Sequence, residues 1–471
     1  MWSVYIGVDE NATFTLNEGR IVNDYQTMTV ESGGKFVMNG GTIAYYDCEG
    51  GGGVKMRENS DFVMNGGEIV AECQAPDPDV EYNVAAVTLA GKNAKFTMDG
   101  GKIDVPYGMG VAAFGETEVI INDGEIDAYT MAISGNGVTD PSHPNYGGKA
   151  KITVNGGKLT SASDVAIYAP SAEGKTIING GEITGKTGIE IRAGELEVRG
   201  GTITATGAPN TSTGNGNGTT SDGVAIAISQ HNTKQNIKVT VCSGKMTGYL
   251  PLGEANPQGN DNSDISKITL IIGEACGDEP EFISTNTENG ADVIKIENFD
   301  IINKFVKGGR YSHKVPADFI ADGYTEPNDK DEGGMYYVTR PHDINIAAAT
   351  NGTVTASDDS ALKGDEIELT ITPADGYEID AITVKDADGA AITVTNKKFV
   401  MPAKDVTVTV AFKKIPEEQP TTPTIPETPE TPATDGENAE NPDTYDDIAV
   451  WFVTMGASIA GLGAVIVMKK F

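Results

Sequence analysis

Basic residues are scarce in this chain: 34 Lys and Arg stand against 68 Asp and Glu over 471 residues, a formal charge of −34. A protein of that sign does not hold nucleic acid or anionic lipid by its surface. Cysteine is scarcer. Cys48, Cys73, Cys242 and Cys276 are scattered and fall in no CxxC or Cys/His zinc spacing, which argues against a disulfide-scaffold mini-domain and a structural zinc site. The four histidines, His143, His231, His313 and His342, have no metal spacing and no G-x-S-x-G partner. Neither a cofactor nor a metal is called for. The first residues, MWSVYIGVDENATFTLNEG, carry no basic n-region, apolar h-region or small-residue cleavage site. The expectation is a sequence that starts inside a longer exported protein.

Glycine, by contrast, is abundant, 58 of 471 residues, about 12% where ~7% is usual. Most of it sits in one recurring pattern before residue 342: an alternating strand, then Asn, then Gly-Gly, then a short strand ending in Ile, Leu or Met. GKFVMNGGTI from Gly34, SDFVMNGGEI from Ser60, AKFTMDGGKI from Ala94 and AKITVNGGKL from Ala150 are clear copies. The last glycine of each copy falls at Gly19, Gly41, Gly67, Gly101, Gly124, Gly157, Gly181, Gly201, Gly244 and Gly273, a base period of about 20 to 26 residues stretched by loops. Each cycle holds a further strand, such as VAIYA from Val165 or VAIAIS from Val224. Three short strands per cycle is the arithmetic of a right-handed parallel β-helix of about ten coils over residues 1–303, each coil bonded to those before and after it.

The residue types follow from that geometry. Phe36, Met38 and Ile43, and Phe62, Met64 and Ile69 one coil later, should stack as apolar ladders inside the coil. Glycine supplies φ > 0 at the corner. Before the corner stands Asn17, Asn39, Asn65, Asp99, Asn122, Asn155 or Asn179, whose side chains are expected to bond from coil to coil as an asparagine ladder, a structural role and not a catalytic one. Cys48 and Cys73 follow their corner glycines by seven and six residues in consecutive coils. Coils about 4.8 Å apart bring them within reach of a disulfide. An end strand of such a stack needs a cap, which residues 304–341 are expected to supply.

The C-terminal third changes character. Residues 342–414 alternate apolar and polar positions between Asn351-Gly352, Asp375-Gly376 and Asp388-Gly389, the pattern of a small antiparallel β module. Its GTVTA, TPADGY and FVMPAKDVTVTVAF resemble the divergent internalin-B-type bacterial repeat of Firmicute surface proteins, which implies a spacer or adhesion-associated module. Residues 415–440 form a stalk with Pro420, Pro423, Pro426, Pro429 and Pro432 at every third position, one edge of a polyproline helix. From Ile448 to Met468 runs an uncharged stretch of 21 residues, followed by Lys469 and Lys470. It has the length of one transmembrane helix with its C-terminus in the cytoplasm.

Immediately before that stretch stand Asn441, Pro442, Asp443, Thr444 and Tyr445. A Pro-x-Thr pentapeptide, an apolar span and a basic tail in that order resemble a Gram-positive cell-wall sorting signal, with Asn441 and Tyr445 in place of the common Leu and Gly. The resemblance implies a sortase that cuts after Thr444 and joins it to peptidoglycan, in residues 441–471, and so a wall-anchored or membrane-anchored protein on the outside of the cell.

Two functions compete for the rod. A displayed adhesin-like or structural protein binding glycan or matrix is the leading expectation. A carbohydrate-active enzyme of the pectin-lyase-like β-helix class is the alternative, and it requires convergent carboxylates on neighbouring coils. Asp104, Asp127 and Glu190 are candidate acids, but charged outward residues are the expected surface of a solvated β-helix. The acidic clusters Asp261–Asp264 and Asp329–Glu332 lack a full EF-hand pattern. No catalysis is expected.

Overall fold

The computed structural model describes residues 6–23, 26–47, 51–73, 84–136, 148–209, 221–231, 233–254, 264–273, 279–297 and 304–416. The chain is all-β, a long parallel β-helix followed by a small β module. Each coil gives one strand to a parallel sheet of 11 strands, running from Ile6–Val8 to Ile294–Ile296, and two short strands to a second sheet of 20. Lys35–Met38 and Thr42–Tyr45 are such a pair.

Register is strict because the same residue types recur at the same phase. Phe14, Phe36, Phe62, Phe96 and Val119 are partners in successive coils. Their rings stack inside the coil, with centroids 4.5 Å apart for Phe36 and Phe62 and 4.9 Å for Phe62 and Phe96, in the range that aromatic pairs favour. Met38, Met64 and Met98 form a second ladder and Ile43, Ile69 and Ile103 a third, all fully buried. Alternation sends Lys35, Asp61, Lys95 and Glu118 outward in the neighbouring row, where Lys35 meets Asp61 at 3.1 Å and Lys95 meets Glu118 at 3.4 Å.

All ten marker glycines have φ between +79° and +104°. At Gly67 a Cβ would lie 2.7 Å from the Gly41 carbonyl oxygen. Conformation and the closeness of the neighbouring coil both demand glycine there. Toward the C-terminal end Gly194–Ala205 and Ile237–Gly248 run through the corner as single strands of 12 residues, the corner persisting as positive φ at Gly201 and Gly244 and as a register irregularity at Arg199.

The last coil is met by residues 304–339. Arg310–Tyr311 pairs in parallel with Glu281–Phe282 and antiparallel with Tyr336–Tyr337, and the Tyr311 ring stacks on Phe282 at 5.2 Å. Replacing a parallel edge by an antiparallel pair breaks the template on which another coil could be added.

The C-terminal module has a five-stranded and a three-stranded sheet enclosing Ile344, Ile367, Leu369, Phe399, Met401, Val406 and Val408. Asn351, Gly376 and Gly389, in the three expected turns, all have positive φ. Its first strand, His342–Ile346, lies parallel to its last, Val406–Lys414, so not every pairing is antiparallel. Among the described residues no helix is long and apolar enough to cross a membrane; the stalk beyond residue 416, residues 441–445 and the stretch 448–468 lie outside them.

Candidate functional site

The corner residues join from coil to coil. Asn39 Nδ2 donates to Asn17 Oδ1 at 2.8 Å, Asn65 to Asn39 at 2.7 Å, Asn122 to Asp99 at 2.6 Å, Asn155 to Asn122 at 2.7 Å and Asn179 to Asn155 at 2.7 Å. A second ladder, unread in the sequence, stands at the opposite corner, where Asn93 Nδ2 donates to Asn59 Oδ1 at 2.9 Å and both residues have positive φ. Asparagine is the non-glycine residue that best tolerates that conformation. Both ladders bond coil to coil.

Of the candidate acids, Asp104 accepts from Lys102 Nζ at 2.7 Å and stands beside Asp127 in the next coil. Both are partly exposed surface residues. Glu190 corrects the expectation of a solvated carboxylate. It occupies an outward position of the 11-stranded sheet, yet it and Arg192 are fully buried. Arg192 Nη1 lies 3.5 Å from Glu190 Oε1, its Nε donates to the Ser229 carbonyl at 3.3 Å, and Nη1 reaches the Tyr168 hydroxyl at 3.4 Å. Among the described residues Arg192 Nη2 has no hydrogen-bond partner and Glu190 accepts none of ordinary geometry, although Ser221 stands close enough to act on its carboxyl. Burial pushes the Glu190 carboxyl up to about 8, with the Arg192 guanidinium opposing and Asp164 adding to the rise.

Beside this pair the surface falls into a cleft of about 400 Å³. Side-chain size along one outward row explains it. In register the row reads Tyr168, Glu190, Ala227, Gly253 and Lys295; two bulky residues give way to two that barely leave the backbone, and bulk returns with lysine. A Cβ at Gly253 would meet Leu250 Cδ2 at 2.6 Å. Loops from flanking coils form the rim. One brings Ser221 and Asp222, another Asn286 to Asp292, and Tyr249 offers its ring from the corner. Glu254, almost fully buried, accepts from the Glu297 backbone N–H at 3.1 Å. Burial holds the Asp222 carboxyl above its ordinary range, with Lys186 opposing.

Among the described residues the other candidates lie apart from one another. His231 Nδ1 lies 3.2 Å from Thr233 Oγ1, and burial, then Arg192, holds its pKa down. His313 lies beside Ser312 Oγ, and His342 packs in the module with Asp405 at 3.4 Å. Asp331 takes the Arg310 Nε hydrogen bond at 2.7 Å, and Asp264 accepts from Ser266 at 2.5 Å. His143 and Asp261 to Ser263 lie outside the described residues. No group of three or more His, Cys, Asp or Glu among the described residues is arranged to hold a metal ion. Cys73 and Cys242 each take part in a disulfide; the expected pairing of Cys73 with Cys48 falls on a residue that, like Cys276, lies outside the described residues.

Residues 342–416 match the family model of the divergent InlB B-repeat domain. No curated protein and no solved structure matches the chain. A B-repeat domain in one chain with a parallel β-helix fits a bacterial surface protein of adhesin-like build.

Proposed function

We propose that this chain is a displayed binding protein of a Gram-positive envelope, whose β-helix presents a cleft for glycan or matrix and performs no catalysis. The observation that carries the reading is the joining of a B-repeat domain at residues 342–416 to a parallel β-helix bearing a cleft built by loops on successive coils. That Cys73 and Cys242 each take part in a disulfide supports it, because such bonds persist outside the reducing cytosol. In this reading residues 415–440 are the stalk, Asn441 to Tyr445 the sortase recognition site, Thr444 the point of attachment to peptidoglycan, and residues 448–468 the membrane segment before processing. Mass spectrometry of wall-released protein tests the anchor, with a C-terminus at Thr444 expected and an intact apolar stretch counting against it. A glycan and matrix array probed with the full chain tests the binding role; silence throughout favours a purely structural surface protein.

One observation favours the alternative of a carbohydrate-active enzyme: Glu190 is a carboxyl held protonated near neutral pH beside the cleft, as a general acid for glycoside cleavage must be. Release of reducing or unsaturated sugar ends, abolished by Glu190→Gln, would establish that activity.

A further inference from the structure

We propose that a lysine-lined groove on an outward row of the 20-stranded sheet binds an acidic oligosaccharide, one whose sugar residues carry carboxylate or sulfate groups. This rests on the glycan-binding reading above and adds to it a ligand class and a second surface, which shares no lining residue with the cleft beside Glu190.

The first argument is a break in the charge order of the rod. In register, one outward row reads Lys35, Asp61, Lys95, Glu118, Lys151, Lys175, Glu195 and Lys238. Sign alternates at every step but one. Lys151 stands directly against Lys175, and like charges facing each other across a ladder are destabilising. The row beyond the corner keeps the rule, with Glu68, Lys102, Glu125, Lys158 and Glu182 in order.

Ion pairing leaves the break uncompensated. Glu118 is taken by Lys95 at 3.4 Å, and Lys175 is shared between Glu195 at 3.6 Å and Glu197 at 3.4 Å. The acidic register neighbours of Lys151 and Lys238, Glu118 and Glu195, thus already hold a lysine. Among the described residues neither Lys151 nor Lys238 forms an ion pair, and both are exposed. The groove they line holds two further lysines, Lys175 and Lys267, against Glu173 and Glu195, and Glu173 is itself held by Lys149 at 2.9 Å. On a chain of −34 this concavity is locally positive, and it draws an anion that relieves the repulsion.

Geometry selects the kind of anion. The groove measures about 710 Å³, the size of a small-ligand site. Lys238 lies three register steps from Lys151, about 14 Å at the spacing of neighbouring strands. One small anion cannot meet both; a chain with charges along it does. Gly174 and Gly194 leave bare backbone in the lining, and Asn236 and Thr269 add an amide and a hydroxyl, groups that pair with sugar hydroxyls. No aromatic side chain is among the described lining residues, so a single-stranded nucleic acid finds nothing on which to stack its bases. The guest that fits is short, hydroxylated and anionic at intervals.

Titration calorimetry with the full chain tests this, using galacturonate oligomers, the same oligomers methyl-esterified, sulfated galactose oligomers and single-stranded DNA, all of one length. The free-acid or the sulfated oligomers are expected to bind, more weakly as salt rises, and the esterified ones at least tenfold more weakly; the two acidic arms tell which anionic group is taken. Lys151→Gln combined with Lys238→Gln should weaken the better ligand at least tenfold, whereas Lys363→Gln with Lys385→Gln, which removes the same charge from the C-terminal module, should leave it unchanged. Lys151→Arg with Lys238→Arg keeps the charge and should retain binding. Because Lys151→Gln removes a like-charge contact, the glutamine pair is expected to melt no lower than the parent, which separates lost binding from a lost fold. Equal weakening by both glutamine pairs, loss of binding in the arginine pair, equal binding of esterified oligomers, or DNA bound as tightly as the acidic glycans would overturn the proposal. Silence of the acidic glycans while a neutral glycan binds would overturn it and leave the glycan reading intact; silence of every glycan would remove that reading as well.

Discussion

At the corner of the coils the direction of each hydrogen bond is set: the amide Nδ2 of one residue donates to the oxygen of the residue one coil earlier. Asp99 interrupts the run. It accepts from Asn122, but a carboxylate has no N–H to give to Asn65 Oδ1, and two acceptors face each other. Asp99→Asn is expected to complete the ladder and add about 1 kcal/mol of stability; a thermal melt checks it, and an unchanged or lower midpoint would contradict it. Glu190 makes the opposite prediction for pH. Its folded-state pKa is raised, so between the ordinary carboxylate value and about 8 the folded state binds more protons than the unfolded one. Stability from this group is full at low pH and is lost as pH rises through that window. Calorimetric melts should show the parent losing stability from pH 5 to 9, and Glu190→Gln, always neutral, losing less. The ladder residues are legible in the sequence because an Asn or Asp stands two residues before each corner glycine from Gly19 to Gly181. Asn59 and Asn93 are not, since Gly33 holds the corresponding place before the corner in an adjacent coil and hides the pattern. Glu190 is a candidate acid by sequence, but its burial is not legible there, because alternation tells which way a side chain points, not whether anything covers it.

A strand's face was easier to read than its partner. Period-two alternation fixes the inside of every strand in the coils, and the stacked rings from Phe14 to Phe96 follow from that phase. In the C-terminal module the same alternation located the strands but left the parallel pairing of His342–Ile346 with Val406–Lys414 unread, because a strand alternates identically in either kind of ladder. The Asn351-Gly352 turn was legible as a turn. Its second constraint was not: a Cβ on Gly352 would fall 2.3 Å from the Phe412 ring. Gly352→Ala should therefore destabilise the module by about 1–3 kcal/mol through overpacking, and Phe412→Leu in the same chain should return part of the loss. Hydrogen exchange of the strand Glu366–Pro373, which pairs with Gly352–Ala356, reads the effect locally. Equal protection in parent and Gly352→Ala would show that the ring yields without cost.

At the scale of the whole chain, composition announced an acidic protein and spacing announced a β-helix. The cleft stayed hidden, because it exists only once Tyr168, Glu190, Ala227, Gly253 and Lys295 are aligned across coils of unequal length. The alignment itself has a consequence for how such a chain can change in length. Glu125 is the register partner of Lys102, so excising residues 102–124 joins Gly101 to Glu125 with every apolar ladder still in phase, and shortens the stack by about 4.8 Å. Excising residues 102–113 alone removes part of a turn and breaks the register where Gly101 would meet Phe114, leaving the coils before and after it out of phase with each other. The first deletion should unfold cooperatively within a few degrees of the parent, and the second should lose the β-sheet circular dichroism of the coils or precipitate. Similar behaviour of the two would show that phase does not govern the fold. Tolerated insertions and deletions in this rod are thus quantised: loops vary freely, whereas length is inherited in whole turns, and a gene that gains or drops one repeat changes the reach of the protein by a fixed increment without rewriting its interior.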